Sequence, residues 1–144
     1  MDPAGLYREV VIAHNRAPRH FGVLARATHA GRGANPACGD ELCVQLHVEG
    51  GRVVDLGFSG EGCAVAIAAA SMLGDALGGA ATGHVGRVRE AFARLLEAGA
   101  PDPLLGELAA LSGLRAHPAR HRCAWLAFEA VEDALASPPT GAGT

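Results

Sequence analysis

The chain reads as an α+β domain in which a small antiparallel sheet of about three strands packs against several helices. Two runs of alternating apolar residues, Leu42-Val44-Leu46-Val48 and Val54-Leu56-Phe58, flank a Gly50-Gly51 pair and have the period of half-buried strands. A helical pattern precedes these runs and several follow, the order of a sheet covered by helices. With 144 residues, 49% of them hydrophobic and 19% charged, there is material for one core and not for two. One domain is therefore expected over residues 1–136, with 137–144 as a disordered tail.

Taken in order, Gly5 to about Asn15 places Leu6, Val10 and Val11 on one face, an amphipathic docking helix limited by Pro18. Arg16 to Pro36 has weak periodicity and is expected as loop, with one short strand around Ala25 to Ala30. His14, His20 and His29 share no paired spacing and are read as solvated or structural. In the hairpin the apolar residues are even-numbered on both strands, so paired residues must sum to an even number. A three-residue Gly50-Gly51-Arg52 loop satisfies this, pairing Glu49 with Val53 and Leu46 with Leu56. The same register sets Asp40 opposite Gly62, so that Cys38, Asp40 and Cys63 converge at the open end.

Ala64 to Leu73 is apolar almost all round and has high helix propensity, a buried helix ending near Gly78-Gly79. Thr82 is placed to cap a helix with the stripe Val85, Val88, Phe92, Leu95 and Leu96, stopped by Gly99 and Pro101-Asp102-Pro103. Leu104, Leu105, Leu108 and Leu111 suggest a short helix before Gly113. A last helix opens after Pro118, carries Cys123 in its first turn and buries Ala124, Ala127, Val131 and Leu135.

The net charge of −3 gives no basic excess for nucleic acid, and the longest apolar stretch, Ala64 to Ala70, is far too short to span a membrane. No charged n-region and apolar h-region open the chain, so a cytoplasmic protein is expected. In that reducing compartment the four cysteines are thiols, metal ligands or catalytic groups before they are disulfides. Small buried hydrophobes are the plainer reading for one or two of them.

Cys38, Cys63, Cys123 and Asp40 would make a closed tetrahedral set for zinc, which accepts sulfur and oxygen donors. Cys63 and Cys123 fall at inferred helix starts, where the dipole and free N–H groups favour negative charge. Cys43 shares the polar strand face with Gln45 and His47, ~10 Å from Asp40. It is read as a partly covered inert thiol, with a resolving thiol as the alternative.

The cysteines are dispersed, and their spacing alone is weak evidence. Five segments in order say more: Leu6-Tyr7-Arg8-Glu9-Val10, Ala17-Pro18-Arg19, Asn35-Pro36-Ala37-Cys38-Gly39-Asp40, Gly60-Glu61-Gly62-Cys63-Ala64 and Ala119-Arg120-His121-Arg122-Cys123-Ala124. Together they resemble the IscU/SufU/NifU N-terminal family of iron–sulfur cluster assembly proteins, over roughly residues 5 to 136. Its IscU branch carries a histidine directly before the last cysteine and an upstream Pro-Pro-Val-Lys-type chaperone motif. Here Arg122 holds the first position, His117-Pro118-Ala119-Arg120 stands upstream, and Glu97 to Leu114 looks like the insertion of the SufU branch. His121, displaced by one residue and so by about 100° around a helix, is not read as a ligand.

The SufU-type resemblance implies zinc (Zn2+) held by Cys38, Asp40, Cys63 and Cys123, and receipt of persulfide sulfur from a SufS-like cysteine desulfurase for downstream iron–sulfur assembly proteins. Cys38, on a glycine-flanked loop, is the expected acceptor and catalytic residue. Arg120 or Arg122 would either stabilise the released thiolate and steer an acidic partner, or form a solvated helix start. Assembly of a [2Fe–2S] cluster on the same residues is the alternative, with iron as the metal. A purely structural zinc module ranks below both, and a zinc hydrolase lower still, because four protein ligands leave no position for water.

Overall fold

The computed structural model describes residues 3–37 and 39–139. Helix α1 (Pro3–Arg16) is followed by strands β1 (His29–Asn35), β2 (Asp40–Glu49) and β3 (Arg52–Glu61), then helices α2 (Ala64–Leu77) and α3 (His84–Ala98). Two 3-10 segments, Pro103–Ala116 and Pro118–Arg120, lead into α4 (His121–Ala136). The strands form one antiparallel sheet in the order β1-β2-β3. Leu42, Val44 and Leu46 of β2 and Leu56 and Phe58 of β3 join the apolar faces of α2, α3 and α4 in one core.

The hairpin reaches the expected register by a different route. Its turn has two residues, Gly50 and Gly51, both at positive φ (56° and 75°), with Glu49 paired to Arg52 and Val48 to Val53. Such a turn matches the twist of the flanking strands. Parity is restored by a bulge: beyond Val48 the pairs are His47 with Asp55 and Leu46 with Leu56, leaving Val54 as the extra residue. The expected three-residue loop and the inward Val54 are both corrected, since Val53 is fully buried and Val54 is 48% exposed.

Strand β1 begins at His29, later than the Ala25 to Ala30 expected, and runs to Asn35. It lacks apolar alternation because its buried positions are Gly31 and Gly33. A Cβ on Gly31 would lie 2.2 Å from the Ala134 amide nitrogen, and one on Gly33 2.3 Å from the Leu126 carbonyl oxygen. Only glycine lets α4 lie this close, and the Asp133 carboxylate accepts the Arg32 N–H at 2.9 Å beside it.

Three further readings change. Helix α1 packs through Tyr7, Val10, Val11 and His14 while Leu6 is 43% exposed, so the buried face is rotated from the expected one. Thr82 does not cap α3: Gly83 precedes the helix with no side-chain cap, and the Thr82 N–H donates to the Gly51 carbonyl. The leucine-rich segment is a 3-10 coil through Gly113 to Ala116, broken at Gly106 (φ 54°, ψ −131°). Leu105, Leu108, Leu111 and Leu114 recur every third residue and are all buried, the period of three residues per turn. Asp102 caps it by accepting the Leu104 N–H at 2.9 Å. The expected disordered tail lies from residue 140 onward outside the described residues.

This segment is pinned to the body by a polar cluster. His14, only 3% exposed, meets Ser71 Oγ at 2.7 Å and Glu107 Oε2 at 3.1 Å. Arg19 pairs with Glu107 and with Asp75, and His20 meets Asp75 at 2.8 Å. His14 and His20 are thus structural. Hydrogen bonding from His14, with that of Arg19, holds the Glu107 carboxyl below the ordinary range. Burial pushes the Asp75 carboxyl up, but the hydrogen bonds and charges of His20 and Arg19 outweigh it and leave it lowered.

Lowered carboxylates contribute stability that is complete above their unfolded pKa and is lost as pH falls through the folded one. Stability is therefore expected to decline below about pH 5, and a Glu107→Gln/Asp75→Asn double variant to flatten that acid limb in denaturant titrations across pH. Gly33→Ala is expected to destabilise the fold by about 1–3 kcal/mol through overpacking against α4, read from urea unfolding midpoints.

Candidate metal centre

The open end of the hairpin faces two helix starts. Glu41 pairs with Glu61, so the next step along the ladder brings Asp40 to Gly62 and to Cys63, the residue preceding α2. The Cys63 N–H donates to Asp40 Oδ2 at 3.2 Å, a direct link between strand and helix. Gly62 permits the approach, because a Cβ there would lie 2.9 Å from the Ala66 side chain. Gly60, at φ 124°, passes so close to β2 that a Cβ would lie 2.2 Å from the Glu41 carbonyl oxygen.

Cys123 enters from the other side. It is the third residue of α4 and 8% exposed, while Asp40 and Cys63 are half-buried. One ligand atom from each of Asp40, Cys63 and Cys123 falls within 4.8 Å of the others, a spacing that could hold a metal ion. Two sulfurs and one carboxylate oxygen, in a site closed on its inner side by the core, suit a borderline-soft cation. Both cysteines lie at helix N-termini, whose partial positive charge favours anionic ligands.

Cys38, expected as the fourth ligand and the acceptor, lies outside the described residues. The flanking backbone sets the loop: Asn35 pairs with Asp40, the Ala37 N–H reaches Asn35 Oδ1 at 3.3 Å, and Gly39 turns at φ 74°. His121 does not belong to the three-residue set, and its Nε2–H donates to the Leu114 carbonyl at 2.7 Å. Arg120 is exposed at the start of α4, whereas Arg122 bonds to the Ala34 carbonyl at 2.9 Å and pairs with Glu129. Cys43 pairs with Arg32 on one side and Ser59 on the other, half-buried on the face opposite Asp40. No local sequence pattern signals the Arg122 tie, because its acceptor is a backbone oxygen 88 residues away.

This chain matches the family described as NifU-like N terminal domain over residues 6–138. The chain belongs to that family. It is 33% identical over 138 residues to the zinc-dependent sulfurtransferase SufU of Bacillus subtilis, covering 94% of this chain and 93% of that protein. It is 31% identical over 133 residues to the iron–sulfur cluster assembly scaffold protein IscU of Streptococcus pyogenes, covering 90% and 82%. The crystal structure of a nitrogen-fixing NifU-like protein (N-terminal) from Brucella abortus superposes with a TM-score of 0.81 at 24% identity, covering 91% of this chain and 92% of that one. The fold is shared with it, and the family is one of iron–sulfur cluster assembly. Among the described residues no helix is long and apolar enough to cross a membrane.

Asp40→Ala removes the acceptor of the Cys63 N–H at the start of α2. The metal-free variant is expected to lose about 1 kcal/mol of stability, typical of a single lost hydrogen bond, measured by chemical denaturation in chelator.

Proposed function

We propose that this protein is a zinc-dependent sulfur acceptor in iron–sulfur cluster assembly, taking persulfide sulfur from a cysteine desulfurase in the cytoplasm. The reading is carried by the convergence of Asp40, Cys63 and Cys123 within 4.8 Å, with an arginine directly before the last cysteine. Likeness to a zinc-dependent sulfurtransferase over 94% of the chain supports it.

Cys38, Asp40, Cys63 and Cys123 would hold the zinc. Bound there, zinc would keep its cysteine ligands as thiolates at neutral pH. Arg122 has donors and no lone pair, so it cannot enter the ligand set. Cys38, on the loop between Asn35 and Asp40, is the proposed nucleophile. Its thiolate attacks the outer sulfur of the desulfurase persulfide, forming a Cys38 persulfide as the partner cysteine leaves as a thiolate, with no net redox change. Asp40 and Cys123 are anchored on regular elements and Cys63 directly before α2, and the three would stay in place during the exchange. The sulfur then passes to downstream assembly proteins.

A second reading, a scaffold on which a [2Fe–2S] cluster is built, draws on the 31% identity to IscU. Visible absorbance after anaerobic supply of iron and sulfide would favour it, and a colourless zinc protein the first. The deciding measurement is desulfurase turnover. Added protein is expected to accelerate it and Cys38→Ala to abolish that acceleration; turnover indifferent to the wild-type protein would sink the sulfur-transfer reading.

A further inference from the structure

The two sides of the metal centre are joined differently. On the Cys63 side the link is direct, from the Cys63 N–H to Asp40. On the Cys123 side it depends on how α4 meets β1, and the close backbone contacts involve Leu126, Ala130 and Ala134, all beyond the first turn. The two residues before Cys123 add side-chain ties at that turn. His121 donates to the Leu114 carbonyl of the 3-10 segment, and Arg122 donates Nη2–H to the Ala34 carbonyl of β1 at 2.9 Å.

Resting on the zinc reading above, we infer that Arg122 is a positioning residue of the metal centre, tying the helix start that carries Cys123 to the end of β1, the strand that pairs with Asp40. The path is short. Arg122 adjoins Cys123 in the chain, its guanidinium binds Ala34, and the next residue, Asn35, is the strand partner of Asp40. Glu129, two turns along α4, pairs with the other guanidinium nitrogen and sets the orientation of the side chain. Arginine suits this role because its planar fork serves a carbonyl and a carboxylate at once, whereas a lysine ammonium has no such fixed geometry.

Arg122 is 44% exposed and takes no part in the core. A surface ion pair of this kind contributes little to overall stability. Its contribution lies in ligand spacing, to which a closed tetrahedral site is sensitive and an amphipathic helix on a sheet is not. A metal-affinity loss without a fold-stability loss is the signature.

The test compares zinc affinity, by chelator competition on the full chain, with the melting temperature of the metal-free protein, for wild type, Arg122→Met, Arg122→Lys, Glu129→Gln and Arg122→Met/Glu129→Gln. Arg122→Met is expected to weaken zinc binding about tenfold, the lower end for groups that orient metal ligands, while metal-free melting stays unchanged. Lysine should restore part of the affinity. Glu129→Gln should cost less than Arg122→Met, and nothing further in the Arg122→Met background. Wild-type affinity in Arg122→Met, or a metal-free melting loss that parallels the affinity loss, would overturn the inference with the zinc reading intact. A wild-type protein that does not bind zinc would overturn both.

Discussion

Helix α4 can lie on strand β1 only because Gly31 and Gly33 present no Cβ to the backbone at Leu126, Ala130 and Ala134. Contacts this close are unforgiving, since interiors pack like crystals and a methyl group has nowhere to go. They fix both the height of α4 above the sheet and its position along β1. Since β1 pairs with β2 through Asn35 and Asp40, placing α4 on β1 also places Cys123 relative to Asp40. The candidate metal centre is thus set by packing outside it, and in the positioning role proposed for it Arg122 carries that placement from the middle of the helix to its first turn.

The other half of the centre is built by shorter-range means. A two-glycine turn and a bulge at Val54 bring β3 back along β2, and Gly60 and Gly62 keep the returning chain against it. Cys63 arrives with its N–H on the Asp40 carboxylate. Asp40 is thus the acceptor for the backbone at the start of α2, and in the proposed zinc site it would also be a hard donor beside two soft ones. Behind this, the cluster of His14, Ser71, Arg19, Asp75 and Glu107 joins α1, α2 and the 3-10 segment, leaving the centre on a braced body.

Some of this was legible in the chain, and the reasons differ by element. Leu46 opposite Leu56 followed from alternation, because a strand's period of two leaves few registers that bury both faces. The turn is not legible in the same way, because parity can be kept by a longer loop or by a bulge, and a one-dimensional pattern does not distinguish them. Strand β1 was faint because its inward residues are glycines, chosen for an approach that only the folded molecule makes. The 3-10 segment was visible as regularly spaced leucines, yet a spacing of three also lies within the amphipathic pattern of an α-helix.

By itself the sequence determined the α+β class, the core strands, the helix starts at Cys63 and Cys123, and the dispersed residues that mark the family, because these depend on side-chain periodicity and local motifs. The tertiary structure alone decided that Val53 rather than Val54 faces inward and that His14 is buried in a polar cluster, and it gave the expected meeting of Asp40, Cys63 and Cys123 its spacing within 4.8 Å. It also decided that Arg122 reaches Ala34 across 88 positions of chain. The physical reason is range: alternation and helix capping act over a few residues, whereas these outcomes are set by backbone packing and hydrogen bonds between elements far apart in the chain.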